Sequence, residues 1–107
     1  MIYFPDDKPY RELLPGVFMK PLAWGEASML VEFNLKQGAR IPEHQHPHEQ
    51  TGYLVSGRVR FFGAAGEQIV EPGCSWSFLG AQVHGAEALL ESVLVEVFSP
   101  VRQDYLP

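Results

Sequence analysis

The chain has 107 residues and a formal net charge of -5, with 46% hydrophobic and 20% charged residues. This length suits one domain with a single modest core, and the composition is that of an ordinary soluble globular protein. The acidic balance argues against nucleic acid as a partner, because phosphate binding needs a basic surface. It is still compatible with a small anionic substrate that one or two arginines bind.

The cysteine count and the distribution of apolar residues indicate the cellular compartment. Cys74 is the single cysteine, so an intrachain disulfide is excluded, which fits a reducing compartment. The first residues, MIYFPDDKPY, do not have the basic segment and apolar run of a signal peptide. No apolar stretch approaches the roughly 18 residues that a bilayer span needs. We therefore expect a cytoplasmic protein that does not contact a membrane.

The pattern along the chain predicts many short strands. Residues 1–16 read as an extended arm with one short strand or turn. The predicted strands are 17–22, 27–35, 50–56, 58–62, 67–70, 75–78, 84–90 and 92–98. A tight turn is expected at Gly57, a hairpin loop at residues 63–66 and a further turn at Pro72-Gly73. Such spacing predicts one all-β domain over residues 1–107, a sandwich or barrel. The expected core aromatics are Trp24, Phe33, Tyr53, Phe61 and Trp76.

Three of the four histidines fall within five positions, at His44, His46 and His48, and Gln50 follows. Alternate residues of a strand point to one face, so His44 and His46 can reach one ion. Imidazole nitrogens suit several transition metals. The alternative is that closely spaced histidines form no more than an exposed polar turn.

The spacing around these histidines resembles the first motif of the cupin superfamily. Gly38 is followed by five residues, His44, one residue, His46, three residues, Gln50, six residues and Gly57. Gln50 stands where that family usually has glutamate. The resemblance implies an all-β jelly-roll barrel, the cupin double-stranded β-helix, of two antiparallel sheets.

The second half of the chain also resembles the cupin pattern. Pro72-Gly73 matches the family's turn, and His84 matches the histidine of its second motif. The resemblance implies one divalent transition metal ion (Zn, Ni, Mn, Fe or Co). Its implied ligands are His44, His46, Gln50 and His84. No metal role is implied for His48, which is expected at the pocket rim.

The C-terminal stretch is similar to a narrower group, the small single-domain cupins of the KdgF group. The similarity lies in the run Phe98-Ser99-Pro100, in Arg102 and in Asp104-Tyr105-Leu106. It implies that residues 99–107 lie near the barrel mouth. It also implies that Glu96, Phe98 and Arg102 line the pocket, with Glu96 where the group usually has aspartate.

This resemblance implies an enzyme that opens and tautomerises 4,5-unsaturated uronates from pectin or alginate breakdown. Glu96 would transfer a proton, Arg102 would bind the substrate carboxylate, and Phe98 and His48 would contact the substrate. One alternative is a metal-dependent dioxygenase. Another is a non-catalytic cupin that binds a metal and a small molecule.

Two indications conflict on the last strand. Alternation alone places Val93, Val95 and Val97 in the core and Glu96 in water. The resemblance implies the opposite, with Glu96 inside the barrel. If both indications hold, something else must cover the valine face. A second sheet, the N-terminal arm or a partner subunit can do so, and we expect a homodimer.

Overall fold

The computed structural model describes residues 1–6, 9–64 and 66–107. Its strands are β1 (Arg11–Leu14), β2 (Val17–Trp24), β3 (Met29–Leu35), β4 (Arg40–His44), β5 (Glu49–Gly63), β6 (Gln68–Val70), β7 (Ser75–Phe78) and β8 (His84–Ser99). A single turn of 3-10 helix, Gln103–Tyr105, follows β8. No helix among the described residues has the length and apolarity needed to cross a membrane.

Two long strands, β5 and β8, organise the barrel because each takes part in both antiparallel sheets. In the first sheet, the first half of β5 pairs with the second half of β8. In this sheet β7 lies beside β5, and β3, β2 and β1 follow in that order on the side of β8. The second half of β5 and the first half of β8 form the other sheet with β6 and β4. The expected all-β barrel of two antiparallel sheets is confirmed.

The predicted break at Gly57 is wrong, because β5 runs without interruption from Glu49 to Gly63. The register shifts several times around Gly57, where β5 passes from one sheet to the other. Its φ is +98°, and a Cβ there would lie 2.1 Å from Ser92 Oγ. The glycine therefore permits a bulge with close strand contact and not a hairpin turn. The two strands predicted at 84–90 and 92–98 are likewise one strand, β8.

The other local predictions are met in part. The arm of residues 1–16 contains β1, which is the short strand of the two alternatives expected there, and it pairs with β2. The metal motif contains β4, which was not among the predicted strands. Ala65 of the predicted hairpin loop, like residues 7 and 8 of the arm, lies outside the described residues. Phe33 and Phe61 are core residues as expected, and both tryptophans pack against the core. Tyr53 is 48% exposed, so its core assignment is wrong.

The last strand settles the conflict over its two faces. Leu94, Glu96 and Phe98 are buried inside the barrel, whereas Val97 is 39% exposed. The prediction from periodicity, which buried the valine face, is therefore wrong. Valines on the outer face are as apolar as residues of the core, so the pattern does not distinguish the two faces. The inner face of β8 consequently presents Glu96 to the interior beside the histidines.

Candidate metal centre and pocket

The three candidate histidine ligands meet because two strands carry them to one end of the barrel. His44 ends β4, His84 begins β8, and the two residues are register partners. His46 lies in the connection from β4 to β5. One ring nitrogen from each of the three lies within 4.8 Å of the others. The structure thus brings together the histidines that the motif spacing singled out, and a mere exposed turn does not describe them.

Backbone carbonyls orient these imidazoles. Nδ1 of His44 lies 2.9 Å from the Pro42 carbonyl oxygen, Nδ1 of His46 lies 3.0 Å from that of His48, and Nδ1 of His84 lies 2.8 Å from that of Gln82. A carbonyl oxygen only accepts, so each Nδ1 carries the proton and donates it. Each Nε2 then keeps its lone pair, which is the form of histidine that binds a metal ion.

Gln50 turns its amide oxygen toward the same point. Its Oε1 lies 3.0 Å from His46 Nε2 and 3.2 Å from His84 Nε2. Its Nε2 donates a hydrogen bond of 2.5 Å to Glu96 Oε2. Oxygen and imidazole lone pairs therefore face one another, an arrangement that a cation satisfies. Three imidazoles and an amide oxygen fit a divalent transition metal ion.

Burial keeps two of the imidazoles neutral. It lowers the pKa of His84 to about 4, and it lowers the pKa of His46, where the positive charge of Arg102 adds to the effect. The His84 ring also stacks on Phe78, with ring centroids 4.4 Å apart. Neutral imidazoles do not have to lose a proton before they bind a metal.

Glu96 is a buried carboxyl group in an unusual setting. Its Oε2 accepts hydrogen bonds from Gln50 and, over 2.8 Å, from Trp76 Nε1. Burial raises the pKa of Glu96 to about 6, although these donors and the charge of Arg102 act in the opposite direction. A carboxyl group with this pKa can exist in both protonation states near neutral pH, as a general acid or base requires.

A pocket of about 280 Å³ opens beside these groups. Most of its wall is apolar, and it is lined by Leu13, Leu14, Val17, Phe33, Leu35, Ile41, Phe61, Ala86, Leu94 and Phe98. The polar lining includes His44, Gln50, His84, Glu96 and Arg102. An apolar cavity with a few convergent polar groups is the usual form of a small-molecule site, and this one has the size for a single small ligand.

Arg102 lies over aromatic rings beyond the end of β8. Its guanidinium carbon is 3.9 Å from the Tyr105 ring centroid and 5.2 Å from that of Phe98. Its Nη2 donates to Asp104 Oδ2 over 2.9 Å, and its Nε donates to Asp104 Oδ1 over 3.4 Å. The cation that was expected to bind a carboxylate thus already binds one from the chain itself.

His48 is placed differently from the other candidates. It is not among the described residues that line this pocket, and its backbone carbonyl accepts a hydrogen bond from His46 Nδ1. Its own Nδ1 is buried without a hydrogen-bond partner in the described part of the chain. Sequence reasoning missed two contacts of the candidate site residues, that of Trp76 with Glu96 and that of Asp104 with Arg102. Trp76 was assigned only to the core, and the signal for Asp104 was its position two residues after Arg102.

Comparisons with known proteins agree with this geometry. Residues 31–98 match the family model described as the cupin domain. The chain is 33% identical over 107 residues to the pectin degradation protein KdgF of Dickeya dadantii, covering 97% of each sequence. A solved KdgF structure from a Halomonas species superposes with a TM-score of 0.91 at 30% identity, covering 99% of this chain and 100% of that one.

An RmlC-like cupin from Shewanella frigidimarina shares the fold, with a TM-score of 0.91 at 24% identity over 98% of this chain and 95% of its own. The family model and the KdgF relative each span well over half of this chain. The chain is therefore a member of the cupin family and, within it, a KdgF-like protein.

Proposed function

We propose that this protein is a metal-dependent enzyme that opens and tautomerises 4,5-unsaturated uronates released from pectin or alginate. The main observation behind the proposal is that three kinds of chemical group lie around one pocket. These groups are a set of neutral donors for a metal, a buried carboxyl group at Glu96 and a cation at Arg102. The similarity to KdgF of Dickeya dadantii, which is named for pectin degradation, supports this choice of substrate.

The reaction needs proton transfer and no oxidant. When the bond between C1 and the ring oxygen breaks, the proton of the C1 hydroxyl passes to the ring oxygen, which leaves an aldehyde at C1 and an enol at C5. Moving a proton from the enol oxygen to C4 then gives the ketone. Glu96 is the residue we assign to this transfer, because its raised pKa lets it accept and return a proton.

His44, His46, Gln50 and His84 would hold the metal ion. Bound there, a divalent ion supplies Lewis-acid stabilisation of negative charge that develops on a sugar oxygen. The amide of Gln50 is neutral, so this donor set leaves the ion more of its positive charge than a set with glutamate would.

Recognition of the substrate falls to residues around the pocket mouth. The guanidinium of Arg102 lies over two aromatic rings, and it can bind a carboxylate by two parallel hydrogen bonds. Phe98 supplies an apolar wall. His48 is assigned to the rim of the pocket. There it would contact only a part of the substrate that extends out of the cavity described above.

The test is an ultraviolet assay on 4,5-unsaturated galacturonate, whose conjugated double bond absorbs and is lost on reaction. The protein should accelerate this loss without oxygen, and a chelator or His44→Ala should abolish the acceleration. Arg102→Ala should raise KM while metal content is unchanged, and Glu96→Gln should lower kcat. A matched control is Arg58→Ala, which removes a half-exposed cation paired with Glu71.

A rate equal to that of buffer, with metal shown to be bound, would reject the proposal. Oxygen consumption with bound iron would then favour the dioxygenase. Saturable ligand binding without turnover would favour the binding module.

A further inference from the structure

One glycine lies between two functional side chains on the inner face of the first sheet. Gly52 of β5 is the register partner of Trp76 on β7 and of Glu96 on β8. A Cβ at Gly52 would lie 2.4 Å from the indole ring. The indole therefore lies across β5 at the one position of this cross-strand row that has no side chain. From there its Nε1 reaches Glu96 Oε2 at 2.8 Å.

The neighbouring cross-strand row contains Gln50. Its register partners are Phe78 on β7 and Phe98 on β8, both buried. Two rings thus confine the Gln50 side chain, while its Nε2 donates to the same Glu96 oxygen that the indole contacts. Glu96 Oε2 accepts two hydrogen bonds from two directions, which fixes the position of the carboxylate relative to the amide.

The orientation of this amide matters because its two ends have nearly the same shape. Only hydrogen bonding distinguishes the oxygen from the nitrogen of a glutamine side chain. With Nε2 on Glu96, Oε1 faces His46 and His84 at 3.0 and 3.2 Å. The reversed amide would set an oxygen against a carboxylate and direct N–H groups at the metal position.

We propose that Trp76 and Gly52 are positioning residues: they hold Glu96, which in addition to its proposed proton transfer keeps the Gln50 oxygen toward the histidines and thereby sets metal affinity. The inference rests on the metal-binding part of the proposed function and not on the substrate. It also accounts for the amide at position 50, because a glutamate there would lack the N–H that Glu96 accepts.

The test compares two conservative tryptophan variants by titration with Co²⁺. Trp76→Phe retains a ring over Gly52 but removes the donor to Glu96. Trp24→Phe is the matched control, since Trp24 packs against Tyr3, with ring centroids 4.9 Å apart, and does not line the pocket beside the histidines. Loss of a residue that orients a ligand weakens metal binding by about 10- to 100-fold. We expect at least a tenfold rise in the Kd for Co²⁺ and a changed visible spectrum for Trp76→Phe, with both unchanged for Trp24→Phe.

Two results separate the failure of this inference from that of the function. If the unmodified protein binds no Co²⁺, both are overturned. If it binds Co²⁺ and Trp76→Phe matches Trp24→Phe in Kd and spectrum, only the inference is overturned.

A measurement on the unmodified protein covers the case in which Trp76→Phe does not fold. Hydrogen exchange followed by NMR should show slower exchange of the Trp76 indole N–H than of the Trp24 indole N–H. Equal rates would contradict the hydrogen bond on which the proposal depends.

Discussion

Gln50 on β5 donates its amide N–H to Glu96 on β8 over 2.5 Å, with both side chains buried inside the barrel. A carboxylate in this position needs a donor as its neighbour, because a second carboxylate would repel it. The amide serves both sides, since its nitrogen satisfies Glu96 and its oxygen faces the histidines. The glutamine of the histidine motif and the acid on the last strand therefore depend on each other structurally.

Gln50→Glu tests this pairing in the metal-free protein. Two buried carboxyl groups at hydrogen-bond distance must share a proton, so the variant should lose stability as the pH rises from 5 to 8. The melting temperature, measured with a chelator present, should differ from that of the unmodified protein more at pH 8 than at pH 5. Gln103→Glu, at an exposed position, is the control. A difference that does not change with pH would contradict the pairing.

Asp104→Asn tests whether the chain's own carboxylate competes with the substrate. Asp104 binds Arg102 at the pocket, and its side chain is 59% exposed. Exposed ion pairs contribute about 0.2–1 kcal/mol, so removing this one should lower KM for the uronate by up to about fivefold. Glu71→Gln is the control, because it removes a similarly exposed partner of Arg58. A higher KM would mean that Asp104 orients Arg102 for the substrate instead.

The sequence predicted the fold, and it grouped three of the four candidate metal donors, because local spacing encodes both. His44, His46 and Gln50 stand within one motif, and the strands around them have clear turn residues. Periodicity could not predict that Glu96 points into the barrel, because both faces of β8 are apolar. Which face is buried depends on the sheet that packs against it. The contact of Trp76 with Glu96 depends on the register of three strands, which the sequence does not reveal. Its one visible sign is Gly52, an isolated glycine within a strand.

Gly57→Ala tests the close approach of β5 and β8. Gly73 offers a matched control, because its φ of +96° is within 2° of that of Gly57. A Cβ at Gly73 would meet no heavy atom within 4 Å other than those of Gly73 and its chain neighbours. Gly73→Ala should cost only the backbone strain, about 1 kcal/mol. Gly57→Ala also drives the new methyl group into Ser92, so it should cost several kcal/mol more or prevent folding. Denaturant unfolding measures both, and equal losses would contradict the contact.

The pKa of His84 is a prediction for the metal-free protein. Burial lowers it to about 4, and it lowers the pKa of His46 below the usual value of 6.5. Between pH 6.5 and 4 the unfolded chain binds more protons at His84 than the folded one. This residue's contribution to the free energy of unfolding is therefore lost as the pH falls through that window. NMR titration of the imidazole resonances checks the shift, and a midpoint for His84 near 6.5 would contradict it.

The outer face of the first sheet is where we expect a second copy of the chain to pack. Leu30 pairs with Val97, and Tyr53 pairs with Val95, so these four apolar side chains share that face. Tyr53 is 48% and Val97 is 39% exposed in the single chain. Light scattering should show a dimer, which Val97→Lys should convert to a monomer because it places a charge within the interface. Ile69→Lys on β6, an equally apolar exposed position of the other sheet, should leave the dimer intact. A monomeric unmodified protein, or a dimer that only Ile69→Lys disrupts, would contradict this assignment.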